Sequence, residues 1–195
     1  DNKLYPIPIN LTTLELFFNR KFKNKSEAIN FINRKKIKIK NPKNSEEFIL
    51  SKLGKEIYEK FYKNYTIKQW GIHPKKLSKN ITGRLPIRYN RNPYYPKEKL
   101  RLMPKYGYTK MFQKMLDNKN IKKKLNTDFF KIKKNLKFNY FMIYTGQPDK
   151  YFNFKHGKLD WRSLVFKFKN IKKRNVQKCV QYNYPNDFKF TRTVE

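Results

Sequence analysis

The 195-residue chain predicts an α+β fold, a helical bundle followed by a mostly antiparallel sheet region. Three observations predict it. Apolar residues in the first third recur every three to four positions behind capping residues, the mark of amphipathic helices. From about residue 129 the pattern changes to short alternating apolar runs, the mark of half-buried strands. Aromatic residues make up 17% of the chain, more than a disordered basic tail would carry, so a core exists.

The elements follow in order. Residues 3–9 alternate and hold Pro6 and Pro8, which predicts a short edge strand within residues 1–10. Leu11, Leu14, Phe17 and Phe18 share one face behind Asn10, predicting a helix over 11–22. Ser26 is placed as the cap of a second helix through Arg34. The run 35–43 is basic and carries Pro42. Asn44 or Ser45 then caps a longer helix with Glu46 and Glu47 in its first turn, where the helix dipole favours acids. Phe48, Ile49, Leu53, Ile57, Phe61 and Tyr62 form its apolar face. Residues 64–106 are rich in proline and aromatics without a clear period and read as a long structured loop region. Residues 107–116 are again helical. The helical region as a whole is set at 11–117 and the strand-rich region at 118–195, with strands at 138–144, 163–168, 176–182 and 188–194.

Lys and Arg number 48 against 14 Asp and Glu, a formal net charge of +34. Such a surface points to an anionic polymer, RNA or DNA, because released counterions drive binding. The longest apolar run is far short of the ~20 residues of a membrane-spanning helix, so no membrane span is expected and an intracellular location is. Cys179 is alone, which excludes a disulfide-stapled fold, and it reads as a half-buried core thiol. His73 and His156 have no metal-ligand spacing around them and read as structural or surface residues. The glycines at 54, 71, 83, 107, 146 and 157 form neither a dinucleotide loop nor a P-loop.

The informative stretch lies between residues 58 and 109. It holds Phe61, Tyr62, Tyr65, Trp70, Arg84, Arg88 and Tyr89. Aromatics beside arginines suit a flat base with an attached phosphate, since rings stack and guanidinium forks bind phosphate oxygens. Single-stranded RNA would use the same chemistry, and so would a core with solvated arginines use the same residues.

Order and spacing say more. Tyr65-Thr66-Ile67-Lys68-Gln69-Trp70-Gly71, Arg84-Leu85-Pro86-Ile87-Arg88, Gly107-Tyr108-Thr109-Lys110-Met111, Tyr144-Thr145-Gly146, Asp149-Lys150-Tyr151-Phe152 and Arg162-Ser163-Leu164 closely resemble, in that order, motifs of the UDP-galactopyranose mutase family. The start, from Lys3 to Asn10, is similar to the segment following that family's flavin-binding region. The resemblance implies an incomplete fold of that type, with a mobile loop around 72–104. It implies that Arg84 and Arg162 grip the diphosphate and that Tyr95 adds a hydroxyl. It places Phe61, Tyr62 and Tyr65 beside the uracil and Trp70 near nucleotide and sugar. It also implies FAD, because in this family reduced flavin attacks the anomeric carbon of the sugar, while the protein supplies binding and orientation.

Departures accompany the match. The family's flavin-binding segments find no counterpart, so no cofactor is expected on this chain, no catalytic residue is assigned, and exposed sheet edges call for other protein chains. Residues 100–104 differ from the family's Tyr-Gln-Gly-Ile-Pro, and Phe190 stands where a tyrosine is usual. Two readings follow. The first is a non-catalytic, basic relic of a mutase serving as a structural subunit of a nucleoprotein assembly, ribosome-like or a virion. The second is the UDP-sugar-binding part of a split or fragmentary flavin-dependent mutase.

Overall fold

The computed structural model describes residues 3–95, 100–137 and 140–195. The chain divides into two units, Asp1–Lys97 with Arg162–Glu195, and Glu98–Trp161.

The first unit begins with helices set by their caps. The side chain of Asn10 accepts from the Thr13 amide at 3.2 Å, and the Asn10 amide donates back to Thr13 Oγ1 at 3.2 Å. This capping box starts α1, Leu11–Phe18. The expected helix ran to Phe22; it stops at Phe18 because Asn19 takes the left-handed conformation at φ 47°, an ending open to asparagine. Helix α2, Lys25–Lys35, is capped by Asn24 and not by the expected Ser26. Asn44 caps α3, Ser45–Leu53, where Gly54 at φ +86° closes it.

The expected long helix continues past that break in three pieces. They are the single turn α4 (Lys55–Ile57), a π-helical turn over Tyr58–Lys63, and α5 (Asn64–Trp70). Residues 64–70 are therefore helix and not loop. The π turn adds a residue to the repeat and shifts every later side chain around the axis, which hides the period in the sequence. A 3₁₀ turn, Pro74–Lys76, and the short α6, Lys79–Gly83, follow.

Leu14, Ile32, Ile49, Leu53 and Ile57 are fully buried, joined by Ala28, Phe22, Tyr58 and Tyr62. Each buried aliphatic side chain contributes roughly 1.5–3 kcal/mol. Buried Glu15 lies beside this core. Arg91 donates to both of its carboxylate oxygens, at 2.7 and 3.0 Å, and the Phe22 amide adds a third bond at 3.2 Å. These bonds, the arginine first, outweigh burial and hold the Glu15 carboxyl down to about 2.

Residues 3–10 form no strand. Single backbone bonds join this segment to the later chain instead, from the Arg88 amide to the Ile9 carbonyl at 2.9 Å and from the Leu11 amide to the Asn90 carbonyl at 3.0 Å. Of the segments expected as strands, only parts of two become sheet among the described residues. Strand β1, Gln181–Asn183, pairs antiparallel with β2, Arg192–Val194, with Tyr182 opposite Thr193. Residues 163–168 carry the expected alternation, yet Leu164, Phe166 and Phe168 are exposed and unladdered. Alternation makes a segment able to pair but does not supply the partner. Cys179 is exposed, which corrects the expectation of a half-buried thiol; the apolar face it was to join has not formed there.

The second unit holds α7 (Gly107–Met115), α8 (Phe129–Ile132) with a 3₁₀ turn behind it (Lys133–Asn135), and α9 (Pro148–Tyr151). Its packing is aromatic. Phe129, Phe130, Tyr144 and Tyr151 meet at ring separations of 4.9–6.3 Å, with the Lys133 ammonium 3.9 Å above Tyr151. Residues 140–144, expected as a strand, form none, and Phe138 and Asn139 of that segment lie outside the described residues.

Candidate functional site

Helix α5 carries the first half of the site and the β1–β2 hairpin carries the second. Polar bonds dock one on the other. Asn64 Nδ2 donates to Asn186 Oδ1 at 2.9 Å, Asn186 Nδ2 donates to the Lys60 carbonyl at 2.9 Å, and Lys68 Nζ donates to the Tyr184 carbonyl at 2.6 Å. Burial lowers the Lys68 pKa, with Asp187 opposing.

This docking brings Arg192, in β2, to Tyr65, in α5. Arg192 Nη2 donates to the Tyr65 hydroxyl at 3.1 Å, and that hydroxyl donates to Asn183 Oδ1 at 3.4 Å. Burial raises the Tyr65 pKa, while Arg192 and the nearby Arg84 pull it back. One guanidinium thus bonds the phenol directly and a second acts on it through charge alone. Arg192 Nε is buried and without a hydrogen-bond partner. Neither arginine enters an ion pair among the described residues. A buried, unpaired charged donor is costly and is relieved by an anion.

Arg84 stands on a firm mount. Ser45 Oγ donates to the Ser78 carbonyl at 2.7 Å, the Ser45 amide to the Leu77 carbonyl at 2.9 Å, and Thr82 Oγ1 to the Ser45 carbonyl at 3.2 Å. These bonds clamp α6 to the start of α3. Arg84 caps the C-terminal end of α6, and Leu85, Ile87 and Tyr89 beyond it pack on the core. Within the stretch expected as a mobile loop, 72–104, residues 72–91 therefore contain two helical turns and several backbone ties; residues 96–99 lie outside the described residues.

The other expected site residues are spread. Phe61 packs edge-on against Tyr5 and Phe17 at 5.2 and 5.4 Å. Tyr62 is buried in the core, where desolvation pushes its phenol far above the ordinary value. Trp70 is half-buried, and its carbonyl accepts from Arg162 Nε at 2.8 Å. Tyr95 is exposed, and its carbonyl accepts from Arg88 Nη2 at 3.2 Å. The structure thus joins Tyr65 to Arg192, while Arg84 reaches Tyr65 through its charge. Arg192 lay in the sequence beside Phe190, one residue past the Phe190-Thr191 pair in the same motif, and only spatial proximity marks it out.

Residues 60–195 match the family model described as UDP-galactopyranose mutase. A probable UDP-galactopyranose mutase of Klebsiella pneumoniae is 36% identical over 197 positions, covering 100% of this chain and 50% of its own length. The chain belongs to the UDP-galactopyranose mutase family. The dTDP-fucopyranose mutase of Escherichia coli is 29% identical, covering 99% of this chain and 52% of its own. The UDP-galactopyranose mutase of Mycoplasma genitalium is 33% identical over 156 positions. The chain spans about half the length of these first two relatives. No helix among the described residues is long and apolar enough to cross a membrane.

Proposed function

We propose that this chain is the sugar-nucleotide-binding part of a UDP-galactopyranose mutase, the enzyme type that interconverts the pyranose and furanose forms of UDP-galactose. One observation carries the reading: the Arg192 guanidinium, with its buried unpaired Nε, lies against Tyr65 and near Arg84. In this reading Arg84 and Arg192 hold the diphosphate and the Tyr65 hydroxyl orients Arg192. A guanidinium presents parallel donors that match phosphate oxygens, so two of them fix a diphosphate in orientation as well as in place. Trp70 lies at the end of the same helix, one turn and a half from Tyr65, as a nucleotide-side contact. Arg162 already spends its Nε on the Trp70 carbonyl, which suits it to bracing that helix end.

The family's bond-making chemistry is supplied by reduced flavin. The described residues hold no strand–glycine loop–helix of the kind that cradles a dinucleotide. The nucleoprotein reading rests on net charge and on the departures from the family pattern; nothing in the fold or among the relatives supports it.

The test is titration of the full chain with UDP, followed by tryptophan fluorescence. Saturable binding weakened by Arg192→Ala and Arg84→Ala supports the reading. Binding indifferent to both substitutions, or no binding, overturns it.

A further inference from the structure

A second basic surface lies on the first unit and shares Arg84 with the Tyr65 cluster. A groove of about 680 Å³ opens between the segment after α2, the exposed side of α3 and helix α6. Six cations line it: Lys36, Lys38, Lys40, Lys52, Lys79 and Arg84. Among the described residues, no carboxylate does. Cations are thus six of thirteen lining residues, against 48 of 195 in the whole chain, so the concentration exceeds what general basicity provides. Its apolar lining comes from Ile37, Ile39, Pro42 and Phe48.

The wall is held in place before any ligand arrives. The Ile37 amide donates to the Leu50 carbonyl at 3.0 Å, fixing the start of the Lys36–Lys40 comb to α3. Gly54 allows that approach, because a Cβ there would lie 2.4 Å from the Lys35 carbonyl oxygen. On the other wall, Gly83 sits against the Phe48 ring, where a Cβ would be 3.4 Å from Cζ. Lysines crowded around a concave surface repel one another, and a multivalent anion relieves that repulsion.

We propose that this groove is a binding site for a compact polyphosphate-bearing small molecule. The volume is that of a small-ligand pocket. Single-stranded nucleic acid fits less well, because it needs successive exposed rings for stacking, and Phe48 is the one aromatic lining the groove among the described residues, packed against Gly83 and near the Lys52 ammonium. Arg84 is common to this groove and to the Tyr65 cluster, so the tests leave Arg84 unchanged.

The probe is inorganic tripolyphosphate, titrated calorimetrically into the full chain at moderate salt. Three proteins are compared, each carrying Arg192→Ala so that the Tyr65 cluster does not compete for the probe: the otherwise natural sequence, Lys38→Glu/Lys52→Glu in the groove, and Lys122→Glu/Lys124→Glu as a charge-matched control. The expected result is one tripolyphosphate per chain, weakened about tenfold or more by the groove pair and little by the control pair. Equal weakening by both pairs, or several ions bound per chain, means diffuse charge attraction and overturns the proposal. A short single-stranded oligonucleotide that displaces tripolyphosphate and is weakened equally by both pairs overturns it in favour of a nucleic-acid surface. If the groove pair fails to fold, amine labelling of the natural sequence decides. Tripolyphosphate must protect Lys38, Lys52 and Lys79 ahead of Lys122 and Lys124; uniform protection sinks the site. UDP binding and its dependence on Arg192 are read separately, so either proposal can fail alone.

Discussion

Arg192 and Tyr65, 127 residues apart in the chain, are joined by a 3.1 Å hydrogen bond from the guanidinium to the phenol oxygen. The bond ties the C-terminal hairpin to α5 and sets the direction in which Arg192 offers its remaining donors. It serves the fold and the site at once.

Tyr65→Phe removes that acceptor while leaving the ring. The half-buried guanidinium then loses the hydrogen bond it makes to the phenol, at a cost of about 1–2 kcal/mol. Urea denaturation should show this loss, and UDP affinity should fall as well because Arg192 is freed to reorient. Unchanged stability with unchanged affinity would remove Tyr65 from the account.

Glu15 makes the fold acid-sensitive over a defined range. Its carboxyl titrates at about 2 in the folded protein against an ordinary 4.5. A lowered folded pKa contributes stability that is complete above the unfolded value and is lost as pH falls toward the folded one. The melting temperature should therefore drop from about pH 4.5 down to 2, with Glu15→Gln starting lower and falling less steeply over that range. Parallel curves would contradict the role given to the Arg91–Glu15 pair.

Gly54→Ala meets two obstacles, a left-handed φ of +86° and a backbone oxygen 2.4 Å from the new Cβ. Neither can be relieved by a side-chain rotation. The expected loss is about 2 kcal/mol or more, measured as a shift of the urea midpoint without a change in slope.

Ile32→Ala and Phe168→Ser should behave oppositely. Ile32 is 0% exposed and Phe168 is 92% exposed. The first should cost about 2–5 kcal/mol, and the second should leave stability within about 0.5 kcal/mol. A large loss from Phe168→Ser would show that this segment is buried in solution.

The first three helices were legible because their signals are local. Asn10 and Asn44 cap where expected, and Leu14, Ile49 and Leu53 bury the faces their spacing predicts. Helix α5 was missed because the π turn over Tyr58–Lys63 breaks the period just before it. The sheet was overestimated because Leu164, Phe166 and Phe168 show which face could be buried, whereas pairing is a long-range event. Motif order singles out Tyr65 and Arg84. It does not single out Arg192, whose bond to Tyr65 spans more than a hundred residues of chain. The relation between Arg162 and the Trp70 carbonyl was likewise beyond any local pattern.

The clamp between Ser45, Ser78 and Thr82 has a kinetic consequence. Because it fixes the backbone that presents Arg84, arrival of an anion at that arginine need not wait for a segment to swing over it. Capture should proceed in one phase, with an observed rate that rises linearly with ligand concentration and slows as salt screens the approach.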